Sequence, residues 1–308
     1  MPLAGRHVIS VADFTRDEIL HLLDTAAAIA QGPRRELLAG KIMATLFFEP
    51  STRTRLSFEA AMLSLGGRVL GFSDPGSSSA RKGESLADTI RMVERYADVI
   101  VMRHPRDGAA RLAAEVSRVP VINGGDGANQ HPTQTFLDLY TIAELFPELR
   151  AGRCITVCFA GDLRYGRTVH SLLHALCHFA CRILTVAPRG LELPEQYVAE
   201  ARAHGIAVEA VPSLHEAIAS SDVLYMTRLQ EERFPDPVEF EHIKASYRIT
   251  AAMLAAAPPR LRILHPLPRV GEIATDVDAT LHAHYFAQAA NGVPVRQALL
   301  ALVLGALR

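Results

Sequence analysis

Two apolar patterns alternate along the chain: short continuous runs, and longer segments with helical spacing. The short runs are typical of strands that are buried on both faces of a parallel sheet. In the first half they are Lys41 to Phe48, Arg68 to Phe72, Asp98 to His104 and Val119 to Asn123. In the second half they are Cys154 to Ala160, Ile183 to Ala187, Ile206 to Val211, Val223 to Met226 and Leu261 to Leu264. This alternation predicts two doubly wound parallel-sheet domains of the α/β class.

The strand and helix pattern restarts near the turn-rich segment Pro147 to Gly152, which predicts a domain boundary there. We therefore expect a first domain over residues 1–146 and a second over residues 147–284. A chain of 308 residues is long enough for two domains with separate cores. We expect an active-site cleft between the two domains.

Composition argues against several classes of function. The chain has 32 Lys plus Arg and 33 Asp plus Glu, which gives a formal net charge of −1. A general attraction to nucleic acid or to membrane surfaces is therefore not expected. The sequence shows no basic leader with a cleavage site and no apolar run near the roughly 18 residues of a membrane span. These features predict a soluble, cytoplasmic protein.

The cysteines are candidates for a metal site. The side chains concerned are Cys154, Cys158, Cys177 and Cys181, with His174 and His178 nearby. We expect the first two cysteines on a strand and the last two on a helix. Cys-x₃-Cys inside apolar elements usually consists of small core residues, so we expect no metal and no cofactor.

The strongest candidate for chemistry is a polar cluster between the first predicted strand and the helix that follows it. The stretch Glu49-Pro50-Ser51-Thr52-Arg53-Thr54-Arg55 places three hydroxyls and two guanidiniums within five residues. A helix N-terminus offers unpaired N–H groups and partial positive charge, so this stretch can surround a phosphate. The alternative is an ordinary capped helix with solvated arginines.

The helix after this cluster has recognisable ends. Ser51 suits the N-cap position, and Leu56, Ala60 and Leu63 recur at helical spacing, which predicts its apolar face. Gly66 follows where a left-handed residue commonly ends a helix.

Two further segments of the first half carry polar groups to strand ends. Arg103 lies at the end of one predicted strand, and His131-Pro132-Thr133-Gln134 follows the turn Gly124 to Gln130 after the next. Ligands of open parallel sheets bind beyond the carboxyl ends of the strands, so we expect Arg103 and His131 to lie near the cluster. A histidine beside a turn can also be a purely structural residue.

In the second half, two arginines follow predicted strands. Gly161-Asp162-Leu163-Arg164-Tyr165-Gly166-Arg167 occupies the place of a dinucleotide fingerprint but lacks the G-x-G-x-x-G spacing, which argues against a nicotinamide enzyme. Arg228-Leu229-Gln230 follows a later strand. Two such arginines suit a dicarboxylate, because a guanidinium pairs with a carboxylate through two parallel hydrogen bonds. Either arginine can instead form a structural ion pair, for example with Glu49.

Two loops complete the set of candidates. His265-Pro266-Leu267-Pro268-Arg269 ends the last strand, and its prolines leave the carbonyls of Pro266 and Leu267 free to accept hydrogen bonds. The polar loop Ser73 to Gly83 contains Ser78 and Lys82 and lacks the apolar surface to fold alone. From the residues alone, the first reads as a rigid turn and the second as a solvated connection.

Taken in order, these motifs resemble those of the aspartate and ornithine carbamoyltransferase family. Phe-Phe-Glu-x-Ser-Thr-Arg-Thr-Arg, ending at Arg55, is similar to its carbamoyl-phosphate signature, and His131 to Gln134 is similar to its second motif. The turn around Arg167 and the His-Pro-Leu-Pro segment resemble the aspartate-using members. Ornithine-using members typically carry Asp-x-x-x-Ser-Met-Gly and His-Cys-Leu-Pro instead.

The resemblance covers nearly the whole chain and implies a reaction. The carbamoyl group passes from carbamoyl phosphate to the α-amino group of L-aspartate, giving N-carbamoyl-L-aspartate and phosphate in an early step of de novo pyrimidine biosynthesis. It implies no metal and no cofactor. The alternatives left open are an ornithine or related amino-acid carbamoyltransferase and a non-catalytic scaffold homologue.

The resemblance also implies a role for each candidate residue. The phosphate ligands are Ser51, Thr52, Arg53, Thr54 and Arg103, with Ser78 and Lys82 added from an adjacent subunit. The developing oxyanion faces Thr54, Arg103 and His131. The carbamoyl nitrogen is oriented by Gln134, Pro266 and Leu267, and the aspartate carboxylates are held by Arg167, Arg228, Gln230 and Lys82. The expected catalytic residues are Arg53, Thr54, Lys82, Arg103 and His131.

The resemblance further implies a homotrimer whose active sites are shared between neighbouring chains. It implies that the C-terminal helix, residues 285–308, packs back on the first domain. Whether regulatory chains or another pyrimidine enzyme associate with the trimer stays open.

Overall fold

The computed structural model describes residues 3–32, 34–73, 83–229, 243–244 and 246–307. The chain divides into two compact units, Met1–Tyr140 with Asn291–Arg308 and Thr141–Ala290, which we call unit 1 and unit 2. The sequence predicts boundaries at residues 146 and 284. The observed divisions lie inside the helix Pro132–Leu145 and after the helix Tyr285–Ala290. Within the described ranges, no helix is both long and apolar enough to cross a lipid bilayer.

The described strands form two sheets in which all strands run parallel. In unit 1 they are β1 (Ile42–Phe47), β2 (Arg68–Phe72), β3 (Val99–His104) and β4 (Val121–Asp126), in the order β2-β1-β3-β4. In unit 2 they are β5 (Ile155–Ala160), β6 (Cys181–Val186), β7 (Val208–Ala210), β8 (Val223–Met226) and β9 (Arg262–Leu264), in the order β7-β6-β5-β8-β9. Each order reverses once, between β1 and β3 and between β5 and β8. The doubly wound α/β class is therefore confirmed.

Helices connect most of these strands. Those of the described residues are α1 (Arg16–Ala30), α2 (Thr52–Ser64), α3 (Leu86–Val93), α4 (Ala109–Val116), α5 (Pro132–Leu145), α6 (Arg167–Leu176), α7 (Glu195–Ala203), α8 (Leu214–Ser220), α9 (Tyr285–Ala290) and α10 (Gly292–Val303). The C-terminal helix α10 packs against α1 and α2 within unit 1. The preceding helix α9 belongs to unit 2, although the sequence grouped it with the C-terminal segment.

Helix α2 buries a different face from the one that its spacing predicted. Leu56 and Leu63 are 50% and 59% exposed, and Ala60 is exposed with them. The buried side chains of this helix are Thr54, Phe58, Ala61 and Met62. Both stripes satisfy helical spacing, but Phe58 and Met62 offer more apolar surface to the core. The predicted face was therefore wrong, and an apolar stripe of α2 lies on the surface of the single chain.

Several predicted element ends were also displaced. Strand β4 continues to Asp126 through residues that the sequence placed in a turn. Cys181, expected on a helix, is the first residue of β6, where it pairs with Ile155. Parallel pairing with a neighbouring strand decides such ends, and local propensity does not contain that information.

Gly66 closes α2 in the conformation that the sequence predicted. Its φ of +84° lies in the left-handed region, and a Cβ at this position would overlap the carbonyl oxygen of Arg35. Gly40 has nearly the same φ, +82°, but no atom lies within 4 Å of the Cβ position. A side chain at Gly40 would therefore meet only an unfavourable backbone conformation, whereas one at Gly66 would also overlap a neighbouring atom.

We predict that Gly66→Ala lowers the free energy of unfolding more than Gly40→Ala does. The left-handed backbone costs a residue with a Cβ about 1–2 kcal/mol at either site. The overlap with Arg35 should raise the loss at Gly66 to about 2–5 kcal/mol. Urea unfolding followed by circular dichroism measures both losses, and equal losses would contradict the packing argument.

Candidate active site

The strand order of unit 1 brings Arg103 next to the polar cluster of residues 49–55, which we call the phosphate cluster after its predicted ligand. β1 and β3 are neighbours at the reversal of the sheet, where Phe47 pairs with Arg103. The Phe48 N–H continues this pairing and donates to the Arg103 carbonyl oxygen at 2.9 Å. Since the helices after β1 and β3 cannot both cover the gap between these strands, the reversal leaves a crevice at their carboxyl ends.

The start of α2 contributes backbone and hydroxyl groups to this crevice. Ser51 holds the N-cap position in an extended conformation, but among the described residues its hydroxyl makes no capping hydrogen bond, contrary to expectation. Thr52 and Arg53 are exposed, whereas Thr54 is buried. The Thr54 Oγ1 lies 3.4 Å from the His131 Nε2. Two residues 77 positions apart in sequence are thus brought into contact.

Arg103 is held in place from two sides. It donates through Nη2 to the Glu49 carboxylate at 3.1 Å and through Nη1 to the Gly124 carbonyl at 3.3 Å. Its Nε is buried and has no hydrogen-bond partner among the described residues. Although Arg53 is exposed, partial desolvation lowers its pKa, and repulsion from Arg103 lowers it further. The crevice therefore carries positive charge that an anion would stabilise.

The sequence allows Glu49 to form an ion pair with Arg167 or Arg228. In the structure it pairs with Arg103 instead, with its oxygen 3.1 Å from the Arg103 nitrogen. Glu49 thus offsets one charge, while Arg53 acts on Arg103 as a second positive charge, so the crevice stays positive overall.

A buried hydrogen-bond network, not predicted from sequence, shapes the turn that leads to His131. Asn123 donates to the Asp126 carboxylate at 2.8 Å and to the Ile9 carbonyl at 3.0 Å. Asp126 also accepts from the backbone N–H groups of Gly108 at 2.9 Å and Gln130 at 3.1 Å. Asn123 and Asp126 are buried, so these bonds determine where His131 emerges.

Buried groups also lie behind Gln134. The Gln134 Nε2 donates to Asp138 at 2.9 Å, and Asp138 is fully buried. Arg296 of α10 lies over the Phe58 ring at 5.0 Å, and its Nη2 is 3.5 Å from the Thr133 hydroxyl. Burial lowers the pKa of Arg296 to about 10, while attraction to Asp138 opposes the shift. From sequence, Arg296 is recognisable only as a cation in an apolar helix.

In unit 2 the strand reversal brings the two arginine loops together. Strands β5 and β8 are neighbours, and the Thr227 N–H donates to the Ala160 carbonyl at 2.8 Å. A Cβ at Gly161, whose φ is +107°, would overlap the Thr227 carbonyl oxygen. Only glycine permits this approach without displacement. Arg167 opens α6 after the first strand, and Arg228 is exposed after the second.

The Pro266-Leu267 segment follows β9, which is the next strand of the same sheet after β8. Leu267 adopts a φ of +53°, which places a residue with a Cβ in the left-handed region. The structure thus places Arg167, Arg228 and Leu267 after three consecutive strands. Ser78, Lys82 and Gln230 lie outside the described residues.

Comparisons with known proteins agree with this arrangement. Residues 6–144 match the family model for the aspartate/ornithine carbamoyltransferase carbamoyl-P binding domain, and residues 153–303 match the model for the Asp/Orn binding domain. The chain belongs to the aspartate/ornithine carbamoyltransferase family. The first family match contains the phosphate cluster, and the second contains both arginine loops.

Relatives within this family are similar over nearly the full length of the chain. An aspartate carbamoyltransferase catalytic subunit of Chromobacterium violaceum is 56% identical over 97% of this chain and 98% of the relative. The catalytic subunit of M. jannaschii aspartate transcarbamoylase has a TM-score of 0.91 at 50% identity, covering 97% and 98%. Trypanosoma cruzi aspartate transcarbamoylase in complex with carbamoyl phosphate and aspartate has a TM-score of 0.89 at 41% identity, covering 98% of each chain.

The cysteines of this family member lie apart from the residues discussed above. Cys158 and Cys181 are buried, Cys177 is half-buried, and Cys154 is exposed; all four are free thiols. Within the described ranges, no group of three His, Cys, Asp or Glu side chains is placed to hold a metal ion. Burial raises the pKa of Cys158 and Cys181 to about 12 and that of Cys177 to about 11.

We predict that Cys154 alone reacts rapidly with a thiol reagent at pH 8. A pKa near 12 leaves about one thiol in ten thousand ionised at this pH, and the thiolate is the reactive form. Titration with Ellman's reagent should show one fast equivalent, absent in Cys154→Ser, and three more after unfolding in guanidinium. Two fast equivalents in the folded protein would contradict the assignment.

Proposed function

We infer that the chain is an enzyme that transfers the carbamoyl group of carbamoyl phosphate to the α-amino group of L-aspartate. The products are N-carbamoyl-L-aspartate and phosphate, in an early step of de novo pyrimidine biosynthesis. Relatives at 53–56% identity over nearly the full length are named aspartate carbamoyltransferase catalytic subunits, which supports this function.

Unit 1 contains most of the residues that we propose bind carbamoyl phosphate. The proposed phosphate ligands are Ser51, Thr52, Arg53, Thr54 and Arg103, with Ser78 and Lys82 of a neighbouring subunit. The start of α2 provides N–H groups and partial positive charge, and the mutual repulsion of Arg53 and Arg103 is relieved when an anion lies between them. A dianionic phosphate matches this charge better than a neutral ligand would.

The chemistry follows from charge development at the carbamoyl carbon. The aspartate amine attacks this carbon, a tetrahedral species forms, and its carbonyl oxygen gains negative charge before the bond to phosphate breaks. Thr54, Arg103 and His131 are proposed to face that oxygen, and the 3.4 Å contact between Thr54 and His131 keeps two of these donors together. Gln134, Pro266 and Leu267 are proposed to orient the carbamoyl nitrogen. Positioning and electrostatic stabilisation supply the catalysis.

One observation supports aspartate as the amine substrate: Arg167 and Arg228 follow β5 and β8, the two strands that meet at the reversal of the unit 2 sheet. Two guanidiniums suit the two carboxylates of aspartate. They would repel the second ammonium group of ornithine, which disfavours that alternative. Gln230 and Lys82 complete the proposed carboxylate ligands.

We predict that the wild-type protein carbamoylates aspartate and that Arg228→Ala lowers kcat/KM for aspartate by at least about tenfold. A hydrogen bond to a charged group contributes about 1.5–3 kcal/mol, which corresponds to this factor or more. The affinity for carbamoyl phosphate should change little. Formation of radiolabelled carbamoyl-aspartate measures the rate, and calorimetry measures the affinity.

Arg164→Ala is the matched control for this experiment. Arg164 is exposed on the loop that precedes α6 and donates to the Gly190 carbonyl at 3.2 Å. Its replacement should leave the rate within about twofold of wild type, as for most surface changes. Faster carbamoylation of ornithine than of aspartate by the wild-type protein would overturn the proposed function.

We also propose a cytoplasmic homotrimer with shared active sites. The exposed stripe Leu56, Ala60 and Leu63 lies on α2, next to the phosphate cluster, and an apolar stripe of this kind suits a subunit contact. Closed cyclic symmetry uses such a surface in every subunit. The four free thiols suit a reducing compartment.

Mixed trimers test whether Lys82 serves a neighbouring chain. Lys82→Ala and His131→Ala proteins should each be nearly inactive, because every site lacks one component. When the two are dissociated together and reassembled, some sites combine an intact Lys82 with an intact His131, so substantial activity should return. Native mass spectrometry confirms that hybrids formed, and each variant treated alone is the control. Hybrids without any gain in activity would reject the shared site.

A further inference from the structure

A buried histidine and glutamate hold the loop that carries Pro266 and Leu267. The His265 Nε2 lies 2.7 Å from a Glu272 carboxylate oxygen, and the Leu267 N–H donates to the His265 Nδ1 at 2.7 Å. The other oxygen of Glu272 accepts from the Val270 N–H at 3.0 Å. His265 and Glu272 are only 2% and 6% exposed. The two side chains therefore fix both ends of a short loop from within the core.

The hydrogen bonds define the protonation state of His265. A backbone N–H is always a donor, so the Nδ1 that receives the Leu267 N–H carries no proton. The remaining proton of the neutral ring lies on Nε2 and is donated to Glu272. Burial alone would raise the pKa of Glu272, but the hydrogen bond from His265 and its backbone donors outweigh burial and lower it. An ionised Glu272 accepts at both oxygens, as this arrangement requires.

Leu267 needs such support because its backbone is unfavourable. At a φ of +53° its Cβ is crowded, and a residue other than glycine keeps this conformation only where its surroundings impose it. The hydrogen bond from its N–H to His265 is the contact that fixes its peptide plane. The backbone N–H of His265 is itself held by Gln288 of α9 at 2.8 Å.

We propose that His265 is a positioning residue that aims the carbonyl groups of Pro266 and Leu267 at the carbamoyl NH₂ group. Its Nδ1 holds Leu267 in the left-handed conformation, and Glu272 keeps the proton on Nε2 so that Nδ1 stays an acceptor. The inference rests on the proposed function, because it assigns those carbonyls to carbamoyl phosphate. It adds His265 and Glu272 to the proposed site as side chains that act without touching the substrate.

Two substitutions separate the Nδ1 contact from the contact with Glu272. In His265→Asn the side-chain oxygen can occupy the place of Nδ1 and accept the Leu267 N–H, but the side chain cannot reach Glu272. In His265→Gln the amide can reach Glu272, but no acceptor remains near Leu267. Both variants remove the ring and shorten the buried side chain, so each controls for the lost packing of the other.

The measurement compares carbamoyl phosphate with acetyl phosphate, in which a methyl group replaces the NH₂ group. Calorimetry gives both dissociation constants and hence the preference of each protein for the NH₂ group. His265→Gln should lose about tenfold of this preference, as expected for one or two hydrogen bonds. His265→Asn should retain most of it. The affinity for acetyl phosphate should be nearly the same in all three proteins.

The outcomes separate this inference from the proposed function. If the wild-type protein does not bind carbamoyl phosphate more tightly than acetyl phosphate, both the proposed function and this inference are overturned. A wild-type preference that survives in His265→Gln, or is lost equally in both variants, would overturn the inference alone. Equal weakening of both ligands would show that His265 only stabilises the fold.

A measurement on the unaltered protein covers the case in which the variants do not fold. The ¹⁵N NMR signals of His265 distinguish a protonated ring nitrogen from one that accepts a hydrogen bond. We expect the proton on Nε2 and an unprotonated Nδ1 in the presence and absence of carbamoyl phosphate. A proton on Nδ1 would contradict the proposed hydrogen bond and overturn the inference.

Discussion

The parallel pairing of β1 with β3 and of β5 with β8 is the constraint on which the proposed chemistry depends. At each pairing the strand order reverses, so the loops at the carboxyl ends leave in opposite directions and do not cover the gap. In unit 1 the gap receives the phosphate cluster and Arg103. In unit 2 it receives the loops of Arg167 and Arg228. Both halves of the reaction therefore use the same feature of sheet topology.

The charged groups at the strand reversal of unit 1, which are Arg53, Arg103 and Glu49, leave a net positive charge that a bound anion would neutralise. Arg103 is partly neutralised by Glu49, yet the pKa of Arg53 is lowered by partial desolvation and by repulsion from Arg103. A fully neutralised pair would bind phosphate weakly, since the ligand would have to displace a carboxylate. Two cations without a carboxylate would repel each other more strongly in the unliganded protein. One glutamate between these limits leaves a net attraction for phosphate while limiting that repulsion.

Local features of the site could be predicted from sequence, whereas long-range ones could not. The phosphate cluster and the two arginine loops were found because their residues are contiguous and follow recognisable apolar strands. The buried face of α2 was assigned wrongly because Leu56 and Phe58 both belong to stripes with helical spacing. Asn123, Asp126 and the pair His265–Glu272 gave no signal, because their contacts depend on which segments meet in the folded chain. These buried networks support the site without belonging to its motifs.

Gly161 and Leu267, in two loops of unit 2, both have a positive φ, and the chain accommodates this conformation differently at each. Gly161 approaches Thr227 closely, and the chain meets this requirement by having no Cβ at that position. Leu267 also has a positive φ, but its side chain packs against the core of unit 2, so a glycine there would lose apolar contact. The conformation must then be imposed by hydrogen bonds, and His265 with Glu272 supplies them. A strained residue that is both packed and held is more rigid than a glycine, which suits a carbonyl that must point in one direction.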